Sequence, residues 1–96
     1  MPGRAVRTVR LRILGRVQGV GYRYWTERTA AGVGVAGWVR NRRDGTVEGV
    51  VSGTPDDVAE MIRRCRDGPS GARVDSIEVS DEAEVPPPGF AVLRTA

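Results

Sequence analysis

The chain has 96 residues, a formal net charge of +3 and one cysteine, Cys65. A lone cysteine excludes an internal disulfide, and no apolar run approaches the ~20 residues of a membrane span. Histidine and lysine are absent, so all fifteen basic residues are arginine and no imidazole is present as base, phosphate carrier or metal ligand.

The length predicts one domain over residues 1–96, large enough to bury about two thirds of the unfolded surface. Met1 to Arg10 carries Arg4, Arg7 and Arg10 and has no apolar h-region, so it does not read as a signal peptide. Together with the single cysteine this predicts a cytoplasmic protein. The arginines cluster only at Arg40, Arg42, Arg43 and at Arg63, Arg64, Arg66, and twelve acidic residues offset them. That balance suits a small acidic substrate better than a long polyanion.

Residues 6–14 alternate, with Val9, Leu11 and Ile13 on one face and Arg10 and Arg12 on the other, which predicts a half-buried strand. Gly15-Arg16-Val17-Gln18-Gly19-Val20-Gly21-Tyr22-Arg23 follows. Glycines at a strand-to-helix turn let the backbone bring several N–H groups to bear on one anion, and the helix dipole adds to that field. Arg23, at the start of the helix, offers a planar fork for two phosphate oxygens. This stretch is a candidate phosphate cradle. The competing reading is a glycine-rich turn that binds nothing, since it lacks both the Gly-Lys-Ser/Thr ending of a P-loop and the dinucleotide spacing.

Residues 22–32 suit a helix ending near Gly32 or Gly34. Residues 36–41 and 46–52 read as strands joined by an Arg43-Asp44-Gly45 hairpin turn. Thr54-Pro55-Asp56-Asp57 starts a second helix with a cap, a proline at the first position and acids at the positive dipole end. Val58, Met61, Ile62 and Cys65 form its apolar face, and Gly68-Pro69 stops it. Residues 73–80 predict a strand, 81–89 a proline-containing loop, and Phe90 to Arg94 a short closing strand. The order is βαββαβ plus a final strand, a split βαβ pattern with two helices on one face of an antiparallel sheet.

Few residues remain for chemistry. Cys65 reads as a buried structural thiol, because an apolar helix face surrounds it and Gly71 stands where a cysteine phosphatase would need arginine. Asp56 and Asp57 read as helix-start acids, and Asp81, Glu82 and Glu84 as a solvated loop, so no metal-binding cluster is expected. Ser52, Ser70, Ser76 and Ser80 have no histidine or lysine to activate them. A hydrolase built from this chain must therefore hold an already labile substrate, such as a mixed anhydride, and let water attack it. A phosphate monoester is too stable for that. Asn41, at the end of its strand, has a carboxamide able to orient a water, or it is simply a turn residue. Trp38 is expected in the core and Arg40 on a solvated face.

Gly15 to Arg23 and Gly37 to Gly49, read as GRVQGVGYR and GWVRNRRDGTVEG, resemble the two signatures of the acylphosphatase family. The resemblance extends through Val58, Met61 and Ile62, through Gly68-Pro69-Ser70-Gly71-Ala72-Arg73-Val74, and on to Phe90. It implies a ferredoxin-like α/β sandwich of the α+β class. It implies hydrolysis of the carboxyl–phosphate bond of acyl phosphates with no cofactor and no metal. Carried onto this chain, it implies a phosphate-binding loop from the backbone N–H groups of Gln18, Gly19, Val20, Gly21, Tyr22 and Arg23. Arg23 would clamp the phosphoryl oxygens and Asn41 would position the water. Tyr22 stands where the family more often has Phe, and Gly32 falls near the end of a helix, where it costs about 1 kcal/mol against Ala.

The expected partners are a small acyl phosphate, with no nucleic acid and no membrane, and the expected state is a monomer. The start methionine and the absence of a trailing linker favour a stand-alone enzyme over a domain of a larger regulatory or maturation protein. The alternative is a non-catalytic phosphate- or RNA-binding module on the same fold. It is weakened because the central strands supply only Trp38 for base stacking.

Overall fold

A computed structural model of the chain describes residues 5–96. Met1 to Arg4 lie outside them, and with them part of the expectation that the N-terminus is not a signal peptide.

Strand β1, Arg7–Arg16, buries Val9, Leu11 and Ile13 on one side, as its period-2 alternation requires. It runs past the alternating stretch because a bulge between Leu14 and Gly15 carries the ladder on. Helix α1, Tyr22–Val33, is framed by Gly21 and Gly34 in left-handed conformations. Strands β2, Ala36–Asn41, and β3, Val47–Gly53, form the expected hairpin. Asp44 ties its turn by accepting from the Thr46 N–H at 2.9 Å and the Thr46 hydroxyl at 2.6 Å.

Helix α2, Pro55–Asp67, begins as predicted, with Thr54 Oγ1 accepting from the Asp57 N–H at 3.2 Å. Strand β4, Arg73–Asp81, and the short strand β5, Phe90–Val92, complete the chain's elements. Beyond β5 the Leu93 and Ala96 N–H groups donate to the Val39 and Asn41 carbonyls, so the tail still follows β2 without forming the longer strand expected to Arg94.

The sheet order is β4-β1-β3-β2-β5, antiparallel throughout except for the β2–β5 pair. Val9, Leu11 and Ile13 of β1, Val39 of β2 and Val47 and Val51 of β3 pack against Tyr22 and Ala30 of α1 and Val58, Met61, Ile62 and Cys65 of α2. Two helices thus cover one face of the sheet, giving the ferredoxin-like α+β fold. Among the described residues no helix is long and apolar enough to cross a membrane.

Trp38 and Glu82 lie otherwise than the sequence suggests. Trp38 is not part of the core. The helices cover the Val39 side of β2, and Trp38 lies on the open face, with the Arg10 and Arg40 guanidiniums 5.6 and 4.9 Å from its ring. Glu82 is not a solvated loop acid. It accepts from Arg10 at 2.9 Å, and Arg10 also pairs with Glu48, which gathers Arg40 and Arg42 as well. These charges neutralise one another from the residue after β4 across β1, β3 and the end of β2, on the face the helices leave bare.

After the bulge β1 stays paired with β4 through Gly15 and Arg16, and the chain then enters the glycine-rich loop. Gly15 has φ 135°, and a Cβ placed there would lie 2.1 Å from the Arg73 carbonyl oxygen. Gly15→Ala should therefore lower stability by about 3 kcal/mol or more, because backbone on both strands must move. Urea unfolding would measure the shift. A variant as stable as the parent would show that the two strands part without cost.

Candidate active site

Residues 17–21 link β1 to α1 and contain most of the candidate cradle. Gly19 and Gly21 have φ of 73° and 79°, a region that glycine enters without steric cost. Val17 is buried, and Val20 packs against the core, so the loop is anchored at two points. Tyr22 is buried and its hydroxyl donates to the Cys65 carbonyl at 2.7 Å, pinning the first residue of α1 to α2. The hydroxyl that distinguishes Tyr22 from phenylalanine is thus satisfied inside the protein.

The start of α1 is left open. Among the described residues no backbone N–H from Gln18 to Tyr24 donates to a protein acceptor, and the first helical bond is Trp25 N–H to the Gly21 carbonyl at 3.1 Å. Gly21 provides no side-chain cap and the first turn holds no acid. Helix α2 is the opposite case, with Thr54 as cap and Asp56 and Asp57 in its first turn. An uncapped helix start with a run of free donors is electrostatically suited to an external anion.

Gln18 joins this loop to the β2–β3 turn. Its Nε2 donates to the Arg42 carbonyl at 2.7 Å and the Thr46 carbonyl at 2.8 Å. Both donors of the amide are used, so the side chain acts as a brace between the loop and the turn that begins just after Asn41. Asn41 ends β2, paired with Val47, and its carbonyl accepts from the Ala96 N–H at 3.0 Å. Its side-chain Oδ1 is buried with no hydrogen-bond partner, the one such atom among the described residues. Leaving a buried acceptor unpaired costs about 1–3 kcal/mol, and most buried polar atoms in folded proteins have a partner.

A family model described as Acylphosphatase matches residues 9–92 of this chain. The chain belongs to the acylphosphatase family. An acylphosphatase of Nitrobacter hamburgensis is 65% identical over 66 residues, covering 69% of this chain and 67% of that protein. One from Rhodospirillum rubrum is 51% identical over 86 residues, covering 90% of this chain and 94% of that protein. The solved acylphosphatase of Bacillus subtilis aligns with a TM-score of 0.85 at 30% identity, over 93% of this chain and 99% of that one. As an acylphosphatase the chain is a hydrolase of acyl phosphates.

Arg23 brings to the candidate active site of this acylphosphatase a positive charge with no acid partner among the described residues. Among the described residues Arg16, Arg23 and Arg43 have no carboxylate within ion-pair distance, whereas Arg42 is held by Glu48 at 3.4 Å. An unpaired cation at the open start of α1 draws anions toward it. Among the described residues no group of three or more histidine, cysteine or acidic side chains is placed to hold a metal.

The carboxylates that shift lie below their usual range. The Thr46 hydroxyl and N–H hold Asp44 down to about 2, and Arg63 and Arg64 hold Glu60 down to about 2. Burial works against ionisation of Glu48, but Arg40 and Arg10 outweigh it and lower its pKa. Burial pushes the Cys65 thiol up to about 11.

Native carboxylates with depressed pKa bind fewer protons than unfolded ones, so their stabilisation is full above the unfolded values of about 4 and is lost as pH falls toward 2. The acylphosphatase should thus show a melting temperature and a turnover that are both nearly flat from about pH 5.5 to 7.5, where only histidine would ordinarily titrate. Its melting temperature should fall below about pH 4. Circular dichroism melts and phosphate-release rates across that range check both. A steep step inside the flat window would contradict the assignment of groups.

Sequence reasoning pointed to the loop, Arg23 and Asn41 as candidates, and in the tertiary structure Gln18 of the loop bonds to the turn that follows Asn41. It did not find the Gln18 brace or the Glu48 hub. Glu48 was visible only as a lone acid among arginine-rich neighbours, and nothing local to Gln18 indicates partners 24 and 28 residues away.

Proposed function

We propose that the acyl phosphate is hydrolysed by direct attack of a water positioned by Asn41 on a phosphoryl group held by the 18–23 backbone and Arg23. The observation that carries this is the unpartnered, buried Oδ1 of Asn41, the last residue of β2 before the turn that Gln18 ties to the loop. A water donating to that oxygen removes the unpaired acceptor and keeps a lone pair free to attack phosphorus.

The free N–H groups and Arg23 take the phosphoryl oxygens, where they neutralise charge that would repel the incoming water. Attack is in line. The water oxygen bonds to phosphorus while the bond from phosphorus to the acyl oxygen breaks, and its electron pair leaves with the carboxylate. A carboxylate of pKa about 4 is a good leaving group and needs no acid. The water's proton passes to a phosphoryl oxygen of the substrate, since no protein base of suitable pKa is at hand. The products are a carboxylate and inorganic phosphate. We propose that this proceeds in the cytoplasm, in a monomer, without cofactor or nucleic acid.

RNA binding on the open sheet face is the weaker alternative. Its aromatic ring, Trp38, is already engaged by Arg10 and Arg40 rather than bare for a base to stack on.

Phosphate release from benzoyl phosphate, measured with EDTA and with added inorganic phosphate, tests the proposal. EDTA should leave the rate unchanged, and phosphate should compete with substrate, raising apparent KM at constant kcat. Loss of activity in EDTA, or phosphate without competitive effect, would overturn it.

A further inference from the structure

Tyr24 is 56% exposed, an aromatic ring on the surface that the fold does not use. Its ring centroid lies 5.8 Å from Cζ of Arg23. Helical geometry orders the first turn of α1. Tyr22 faces the core, Arg23 lies about 100° round the helix, and Tyr24 lies about 200° round, on the solvent side. Asn41 is on the sheet side, at the end of β2. In-line displacement sends the leaving oxygen away from the attacking water. A water delivered from the Asn41 side therefore directs the acyl group toward solvent, where the ring of Tyr24 stands beside the Arg23 clamp.

We propose that Tyr24 forms the acyl subsite and makes the enzyme selective for acyl phosphates with a flat aromatic or extended apolar acyl group over those with a methyl-sized one. This rests on the phosphoryl site described above. The Tyr24 ring contacts the acyl group of the substrate directly, and its partial exposure leaves room for groups of different length. A small acyl group does not reach the ring and gains nothing from it. Burying an aromatic acyl group against the ring removes apolar surface from water on both partners.

The test compares kcat/KM for benzoyl phosphate and acetyl phosphate in the parent enzyme, Tyr24→Ala, Tyr24→Phe and Arg23→Ala, with the inhibition constant of inorganic phosphate measured alongside. Tyr24→Ala should lower kcat/KM about tenfold for benzoyl phosphate, mainly through KM, with little change for acetyl phosphate or for phosphate inhibition. Tyr24→Phe should keep the parent's preference, because the ring rather than the hydroxyl makes the contact. An equal loss on both substrates with weakened phosphate inhibition would overturn the proposal, since Tyr24 would then act only by steadying Arg23. An unchanged substrate ratio in Tyr24→Ala overturns it as well. If Arg23→Ala keeps the parent's activity, the phosphoryl site itself is wrong and this inference falls with it. If Arg23→Ala is inactive while Tyr24→Ala keeps the ratio, only the acyl subsite is refuted.

Discussion

Arg23→Ala is expected to lower kcat/KM for benzoyl phosphate by about 10³-fold or more while leaving the fold intact. The magnitude follows from the charge at issue. The phosphoryl oxygens carry negative charge through the reaction, and Arg23 is the cation placed at the open start of α1 with no carboxylate partner among the described residues. Truncation should raise the inhibition constant of inorganic phosphate as well as lower kcat, since ground state and transition state share the charge. Arg23→Lys should recover only part of the loss, because an ammonium does not reproduce the planar two-donor fork. Stability should change little, as Arg23 is only half-buried and makes no ion pair. Activity near the parent's would remove Arg23 from the site.

Asn41→Ala separates catalysis from folding more sharply. Its Oδ1 is buried and unpartnered, so the side chain imposes a desolvation cost of about 1–3 kcal/mol that alanine does not. The variant should be no less stable than the parent in urea and should lose about 10²-fold or more in kcat. Its KM and its inhibition by phosphate should stay near the parent's, because the free loop N–H groups and Arg23 still hold the phosphoryl group. The pattern reverses if Asn41 is only a turn residue. Stability would then drop and the activity of the folded fraction would persist. Comparing Asn41→Ala with Arg23→Ala divides the proposed roles, with kcat alone affected in one and binding and kcat together in the other.

Most of the fold was legible because its signals are local. The alternation of Val9, Leu11 and Ile13 specifies a strand with one covered face. The spacing of Val58, Met61, Ile62 and Cys65 specifies a helix with one apolar stripe. Thr54, Pro55 and Asp57 mark the start of α2, and Asp44-Gly45 marks a turn. Trp38 was misplaced for the complementary reason. In Gly37-Trp38-Val39-Arg40 the bulkiest apolar side chain suggests the core, but the helices cover the Val39 side, and that depends on strand order, which no local pattern encodes. Glu82 was misread because its partner, Arg10, is 72 residues away.

The candidate site divides along the same line. The order and spacing of the two motifs around Arg23 and Asn41 identify the family, and the absence of histidine and of a reactive cysteine points the chemistry toward electrostatics and a positioned water. The family and the residue types available for chemistry are properties of composition and spacing, and the sequence determines them alone. The tertiary structure decides what depends on chain segments meeting. It sets Gln18 between the loop and the β2–β3 turn, leaves the α1 start uncapped, strips Asn41 Oδ1 of partners and stands Tyr24 beside Arg23. The reason is physical. Backbone conformation and burial pattern are set largely within a few residues, whereas an unpaired donor or acceptor is defined by everything around it, and only the folded sheet brings those neighbours together.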